Sequence, residues 1–197
     1  MTEPRSLRLF IAIELQANVL AAMGEVQHAL QRDQALARLR WVRPEGIHLT
    51  LKFLGETPAD RRPRIEAALG RAVAGVKPFE LHLGKLGKFG SRNSPRVVWV
   101  DVSGDTVALA QLQTQVEREI SPLGYPAEKR AFSPHLTLAR VPDDAGRDVA
   151  APLEQALASA RTPNASMRAT EVSLMRSELQ RSGAVYTQLF AAALSEA

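Results

Sequence analysis

The chain has 197 residues, of which 45% are hydrophobic and 23% charged, with a formal net charge of +4. This length and composition exclude a disordered chain and predict one folded domain over residues 1–197, built as a single core or as two lobes that share one. There is no Cys, which excludes disulfides, thiolate metal sites and thiol nucleophiles.

The sequence also suggests a cellular compartment. No apolar run reaches the roughly 18 residues that a membrane-spanning helix needs. Residues 1–8 are polar and lack the apolar segment of a secretory signal. We therefore expect a cytoplasmic protein with no membrane partner.

Strands and helices alternate along the first part of the chain. In chain order, the apolar spacing predicts a strand over residues 7–13, a helix over 18–38, a strand over 47–54, a helix over 63–76 and a strand over 79–84. Residues 84–95 are rich in Gly, Ser and Asn, which predicts a long hairpin loop.

The second part continues the same alternation. It predicts a strand over residues 96–102, a helix over 107–120, a strand over 132–141, a helix over 149–160, and strands over 169–179 and 184–192. Interleaved helices and hairpin-forming strands predict an α+β fold.

One segment is unusually basic. Between residues 77 and 96 a single acid, Glu80, accompanies five bases, which are Lys77, Lys85, Lys88, Arg92 and Arg96. Two interpretations stay open at this stage, a solvated hairpin and an electrostatic funnel for phosphates.

A tetrapeptide occurs twice in strand-like runs. His48-Leu49-Thr50-Leu51 and His135-Leu136-Thr137-Leu138 are identical, and they lie a little under half the chain apart. An internal duplication that produces two pseudo-symmetric lobes would explain this spacing.

Strand geometry gives each copy two different faces. Residues i and i+2 point the same way and lie about 6.6 Å apart, so each His shares a face with its Thr. The same alternation places Lys52 on the His48 face, Phe53 on the opposite, core face, and Arg140 with the leucines.

Two imidazoles and two hydroxyls on apolar supports suit acid–base chemistry on a phosphodiester. At neutral pH one imidazole can be protonated while the other is neutral, so His48 and His135 are candidate general acid and base. The hydroxyls of Thr50 and Thr137 can donate to the non-bridging phosphate oxygens. This chemistry requires neither a metal nor a cofactor.

An arginine precedes each histidine by five residues. Arg43 and Arg130 are therefore candidates to clamp a phosphate. The alternative is that both merely flank a strand entry. Alternation cannot decide between these interpretations, because Pro44 and Pro134 interrupt the pleat.

Longer strings around the motifs resemble a known family. They are residues 9–15 (LFIAIEL), 41–55 (WVRPEGIHLTLKFLG), 95–100 (PRVVWV), 132–140 (FSPHLTLAR) and 183–187 (GAVYT). These strings are similar to those of the bacterial and archaeal RNA 2′,3′-cyclic phosphodiesterases, also called 2′-5′ RNA ligases, of the two-histidine phosphoesterase superfamily. The tail, residues 191–194, lacks the Trp-Pro often found in that family.

The resemblance implies a bilobal α+β fold with two pseudo-symmetric lobes of antiparallel sheet, helices on the outer faces and a central groove. It implies hydrolysis of an RNA terminal 2′,3′-cyclic phosphate, or of small cyclic nucleotides, to a 2′-phosphomonoester. In that reaction His48 is the acid, His135 is the base, Thr50 and Thr137 bind phosphate, and Arg130 occupies a basic position before the second motif. We expect a monomer.

Two other functions remain open. The same groove could carry out reversible 2′-5′ RNA ligation. The chain could instead be a non-catalytic module that binds RNA ends, although binding alone does not need two titrating groups.

Overall fold

The structure is a computed structural model that describes residues 5–180 and 183–195. Its strands are β1 Ser6–Glu14, β2 Arg40–Trp41, β3 His48–Pro58, β4 Phe79–Ser91, β5 Ser94–Gly104, β6 His135–Arg140, β7 Ser166–Ala169, β8 Glu171–Gln180 and β9 Gly183–Ala193. Its α-helices are α1 Ala17–Gln31, α2 Gln34–Ala37, α3 Arg62–Val73, α4 Thr106–Ile120 and α5 Gly146–Ser159. Residues 1–4 of the polar segment considered above lie outside the described residues.

All the strands belong to one antiparallel sheet. Its order is β7-β4-β5-β6-β3-β1-β8-β9, and β2 pairs with β6. We call β3, β1, β8 and β9 the first half-sheet, and β6, β5, β4 and β7 the second. The two meet at one residue pair, Leu49 opposite Leu136. Each half-sheet begins at this junction with a strand that carries one copy of the tetrapeptide, so the predicted pseudo-symmetric α+β fold is confirmed.

The helices cover one face of the sheet. Helices α3 and α4 pack together against the first half-sheet, whereas α1, α2 and α5 lie on the side of the second. Leu49, Leu51, Leu136 and Leu138 point into the core beneath them. The opposite face, which we call the open face, carries the histidines. No helix in the described part of the chain has the length and apolarity that a membrane span requires.

Two predicted elements are each divided in the structure. The helix expected over residues 18–38 is interrupted, because the Asp33 side chain accepts a hydrogen bond from the Ala35 N–H at 2.8 Å and starts α2 as a new helix. The strand expected over residues 169–179 is divided at Thr170, since β7 pairs with β4 in the second half-sheet and β8 pairs with β1 in the first.

The prediction of a loop over residues 84–95 is wrong. Strand β4 continues to Ser91, and only Arg92 and Asn93 form the turn. Gly87 is required for space, because a Cβ on it would come within 2.1 Å of the Trp99 ring on β5. A glycine that accommodates a cross-strand aromatic ring therefore contributed to a composition typical of a loop.

Candidate active site

A cavity of about 600 Å³ lies on the open face where the two half-sheets meet. Its lining includes both pairs of the duplicated motif: His48 and Thr50 from β3, and His135 and Thr137 from β6. The pairs converge because β3 and β6 are neighbouring strands. The convergence that the sequence predicted for these four residues is therefore present in the structure.

Both imidazoles are held in the same way. The Nδ1 of His48 lies 2.9 Å from the Gly46 carbonyl oxygen, and the Nδ1 of His135 lies 2.8 Å from that of Ser133. A carbonyl oxygen can only accept a hydrogen bond, so Nδ1 carries the proton in each ring. The Nε2 of each histidine is thereby left as the atom that can exchange a proton with a ligand.

The two rings have different surroundings. The His48 ring packs against Phe10 at a centroid distance of 4.6 Å and against the edge of Tyr186 at 5.0 Å. The His135 ring has an edge-on contact with Phe89 at 4.8 Å. These aromatic contacts fix both rings in orientation and enclose His48 on two sides.

Burial lowers the pKa of His48 below its ordinary value of 6.5, because desolvation disfavours the imidazolium. The hydrogen bond to the Gly46 carbonyl and the charge of Glu14 oppose this effect, whereas the charges of Arg140 and His135 add to it. In the unliganded protein the neutral form of His48 is therefore favoured more than in a free histidine.

A carboxylate stands opposite each histidine on the neighbouring strand. Glu14 on β1 is paired in register with His48, and Asp101 on β5 is paired with His135. The Glu14 Oε1 accepts hydrogen bonds from Ser173 Oγ and Gln188 Nε2, both at 2.7 Å. This network holds a negative charge beside His48.

Each copy of the motif contains a β-bulge at its fourth residue. Leu51 is the extra residue where β3 pairs with β1, and Leu138 is the extra residue where β6 pairs with β5. Two consecutive residues then face the core, Leu51 with Lys52 and Leu138 with Ala139. The alternation is therefore reversed for the residues that directly follow each bulge, Phe53 and Arg140.

The bulges overturn three assignments of faces. Phe53 is 61% exposed and lines the cavity, and Arg140 lines it too, although alternation predicted both on the core face. Lys52 was predicted on the His48 face, but it is 2% exposed on the helix side. Its Nζ lies 2.6 Å from Glu117 Oε2 on α4 and donates to the Pro126 carbonyl at 2.9 Å.

The charged side chains in the described lining of the cavity are cationic. Arg8 and Arg140 line it together with the two histidines, and no Asp or Glu is among its described lining residues. Arg8 was missed by the sequence reasoning, although strand alternation from Phe10 could have found it. Arg140 could have been found only by anticipating the bulge.

The two arginines that precede the motifs lie elsewhere. Arg43 is exposed, and its Nη2 donates to the Ala184 carbonyl oxygen at 3.4 Å. Arg130 is exposed in the segment before β6. Neither belongs to the described lining of the cavity. A phosphate-binding role for Arg43 and Arg130 stays a prediction.

The arrangement supports proton transfer on a bound anion. Two Nε2 atoms, two hydroxyls and two guanidinium groups face one space, so a tetrahedral phosphorus centre could be bound between an acid and a base. Among residues 5–180 and 183–195, no group of three or more His, Cys, Asp or Glu side chains is placed to hold a metal ion.

Comparison with known proteins identifies the family. A family model described as the 2′-5′ RNA ligase superfamily matches residues 16–181. The chain therefore belongs to the 2′-5′ RNA ligase superfamily, as its twin motifs predicted.

Individual relatives resemble the chain along most of its length. It is 34% identical over 183 residues to the RNA 2′,3′-cyclic phosphodiesterase of Methanothermobacter thermautotrophicus. This alignment covers 93% of this chain and 96% of the relative. It is 31% identical over 154 residues to the protein of the same name from Aeropyrum pernix, covering 77% of this chain and 84% of the relative. The enzyme class predicted from the sequence is the one in these names.

Solved structures agree with the fold. TT0787 of Thermus thermophilus superposes with a TM-score of 0.76 at 29% identity, covering 96% of this chain and 99% of that one. LigT of E. coli in complex with NADP+ gives a TM-score of 0.75 at 28% identity, covering 98% and 100%. LigT has also been solved with 3′-AMP and with phosphate.

Proposed function

We propose that this chain is an RNA 2′,3′-cyclic phosphodiesterase that hydrolyses the cyclic phosphate at an RNA end and leaves a 2′-phosphomonoester. The supporting observation is the pair of imidazoles in one cationic cavity, each with Nδ1 fixed by a carbonyl and Nε2 available. The curated relatives are named for the cyclic phosphodiesterase reaction, and LigT structures contain 3′-AMP, phosphate and ATP.

The proposed reaction needs one proton taken and one proton given. His135 Nε2 accepts a proton from water, whose oxygen attacks phosphorus while the bond from phosphorus to O3′ breaks. His48 Nε2–H donates its proton to the departing O3′. The hydroxyls of Thr50 and Thr137 and the guanidinium of Arg140 bind the non-bridging oxygens, on which negative charge increases in the transition state.

The acid role of His48 requires a protonated ring despite its lowered pKa. A bound cyclic phosphate is an anion, and an opposite charge within about 4–6 Å favours the imidazolium. Glu14 acts in the same direction. We therefore propose that substrate binding increases the protonation of His48. This assignment of acid and base comes from the family resemblance.

The reaction is tested with an oligonucleotide that ends in a 2′,3′-cyclic phosphate, incubated in the presence of a chelator. We expect a 2′-phosphate product, identified by comparison with 2′- and 3′-phosphate standards. His48→Ala and His135→Ala should each lower turnover about 10²–10⁴-fold while the fold is retained. Near-complete activity of either variant, or a 3′-phosphate product, would contradict the proposal.

A substrate with a good leaving group separates the two roles. A p-nitrophenyl phosphodiester needs no proton on its leaving oxygen, so loss of the general acid should cost little with it. We expect His48→Ala to recover most activity on this ester and His135→Ala to remain slow on both substrates. The reverse pattern would exchange the roles of the two histidines.

The two alternative functions have distinct products. Ligation in the same groove would replace water by the 5′-hydroxyl of a second RNA, so a mixture of RNA halves would yield a longer, 2′-5′-linked strand. A module that only binds RNA ends would retain the cyclic phosphate unchanged.

We further propose that residues 1–197 act as a single bilobal domain and as a monomer, which sedimentation of the active protein tests.

A further inference from the structure

Aromatic surface continues beyond the cavity on the open face of the second half-sheet. Trp99 on β5 is paired in register with Thr137 on β6, so both side chains point to the open face. Trp99 is therefore one strand further from the junction than Thr137, and it is not part of the cavity lining. It remains partly exposed.

Phe89 connects Trp99 to the catalytic centre. The Phe89 ring lies 4.8 Å from the His135 ring and 5.2 Å from the Trp99 ring. Phe89 lines the cavity, so the three rings form a continuous row that leads out of it. No described helix packs over this row, because the helices cover the other face.

The indole of Trp99 is held against the sheet. Its six-membered ring lies over Gly87, where a Cβ would come within 2.1–2.5 Å of three ring carbons. Its Nε1 is buried and has no acceptor among the described residues. Packing against β4 therefore fixes the ring, and its outer face is the group that a ligand would meet.

Positive charge at this surface comes from one lysine of the basic segment, which lies beside the exposed carboxylate of Asp101. A bulge places Gly84 and Lys85 together opposite Asp101, so exposed Lys85 shares the open face with Trp99. Lys88 points to the helix side, where it pairs with Glu154 on α5. Arg92 borders the space beside α5. The basic segment is thus divided between the two faces.

We propose that the Trp99 surface binds the nucleotide that precedes the cyclic phosphate, with its base stacked on the indole and the connecting phosphate near Lys85. The occupant follows from continuity with the cavity. An RNA strand whose terminal phosphate lies between His48 and His135 has its preceding nucleotide next to the rings of Phe89 and Trp99. Aromatic faces bind bases of any sequence by stacking. The favoured substrate is then an oligonucleotide, and this inference rests on the proposed function.

The kinetic test compares adenosine 2′,3′-cyclic phosphate with the diadenosine nucleotide ApA that ends in a 2′,3′-cyclic phosphate. We expect the wild-type protein to have the higher kcat/KM for the dinucleotide. Trp99→Leu should lower kcat/KM for the dinucleotide about 5- to 100-fold and leave that for the mononucleotide within about twofold. Equal losses on both substrates would assign Trp99 a structural role and overturn the inference.

A charge-matched pair of variants tests the lysine without disturbing the packing of the indole. Lys85→Ala and Arg92→Ala each remove one positive charge from the same hairpin. Only Lys85→Ala should reduce the preference for the dinucleotide and its dependence on salt. Equal effects of the two variants would indicate general electrostatics and would overturn the placement of the connecting phosphate.

A binding measurement keeps the inference distinguishable from the proposed function. In a Trp41→Phe background Trp99 is the only tryptophan. We expect ApA with a terminal 2′-phosphate to quench its fluorescence, and adenosine 2′-phosphate to leave it nearly unchanged. Quenching without hydrolysis of either cyclic substrate would overturn the proposed activity but keep this binding surface, whereas hydrolysis without quenching would overturn the surface alone.

Discussion

Phe53 and Arg140 occupy the same position in the two copies of the motif, and both line the cavity because a bulge at the fourth residue of each copy reverses the alternation. The two copies therefore share a backbone irregularity as well as the His-x-Thr pattern. The residue that follows the bulge differs, so one half-sheet contributes an aromatic ring and the other a guanidinium group to the same space.

The position of Arg140 predicts a contact with phosphate. Arg140→Ala should lower kcat/KM for the cyclic phosphate about 10- to 100-fold, because hydrogen bonds between charged groups contribute about 1.5–3 kcal/mol. Arg130→Ala, assayed in parallel, tests the contact that the family resemblance implies. A loss confined to Arg130→Ala would contradict the predicted contact between Arg140 and the phosphate. Arg140→Lys should retain only part of the activity, because a lysine cannot bind phosphate in a bidentate manner.

Acid should destabilise the fold through His48. Since the pKa of His48 is lower in the folded protein than the ordinary 6.5, the unfolded chain binds more protons between these two values. The free energy of unfolding is then unaffected by this group at pH values above 6.5 and falls as the pH decreases through that window. Urea denaturation from pH 8 to pH 5 measures the slope.

His48→Gln is the reference for this pH dependence, because the variant keeps a polar side chain that does not titrate. We expect the free energy of unfolding of the variant to decrease less on acidification than that of the wild-type protein. Superimposable pH dependences would show that His48 is protonated as easily in the folded state as in the unfolded state.

Glu14 should determine part of the protonation of His48. The titratable and charged side chains that face the His48 ring or act on it are Glu14 from β1, His135 and Arg140 from β6, and Tyr186 from β9. Because the charge of Glu14 raises the pKa of His48, Glu14→Gln should lower that pKa further and reduce the fraction of His48 that is protonated at a given pH. NMR titration of the imidazole measures the shift directly.

Glu171→Gln provides the matched control. The Glu171 Oε1 lies 3.3 Å from the same Gln188 amide that donates to Glu14, but Glu171 is not opposite His48. This variant should disturb the network and leave the pKa of His48 unchanged. Equal shifts of the His48 pKa in both variants would indicate that the arrangement of the hydrogen-bond network, and not the charge of Glu14, determines that pKa.

The buried pair of Lys52 and Glu117 should be required for stability. Lys52→Met removes the only charged donor that the described residues offer to the partly buried Glu117 carboxylate, which keeps the longer hydrogen bonds from Gln113 Nε2 at 3.3 Å and Ser121 Oγ at 3.5 Å, and it also removes the Lys52 donor from the Pro126 carbonyl. The loss of the buried pair should reduce the free energy of unfolding by about 3–5 kcal/mol. Combining it with Glu117→Leu should restore much of the loss, because two apolar groups need no partner. Urea denaturation measures both.

An exposed pair gives the comparison. Arg71 is 59% exposed in its ion pair with Glu119, so Arg71→Ala should change the free energy of unfolding by less than about 1 kcal/mol. A loss for Lys52→Met no larger than that for Arg71→Ala would show that the buried pair contributes no more than an exposed one.

The sequence by itself determined most of the elements and the two pairs of His and Thr that meet in the cavity. Apolar periodicity located most helices and strands, because burial of one face leaves a period that can be recognised directly. The repeated tetrapeptide identified His48, Thr50, His135 and Thr137 as one site before any fold was known. It could not show the carboxylate opposite each histidine, since register between strands distant in sequence is a property of the folded sheet.

Tertiary structure decided which other side chains enter the cavity. The bulges at Leu51 and Leu138 reverse the alternation, and nothing in a two-residue period indicates an extra residue. They bring Phe53 and Arg140 into the cavity and place Lys52 in the core, against the pattern. Gly87 by itself is typical of a loop, and only the packing of Trp99 over it shows why this position in a strand needs a glycine. In both cases the deciding factor is packing between strands, which local periodicity does not encode.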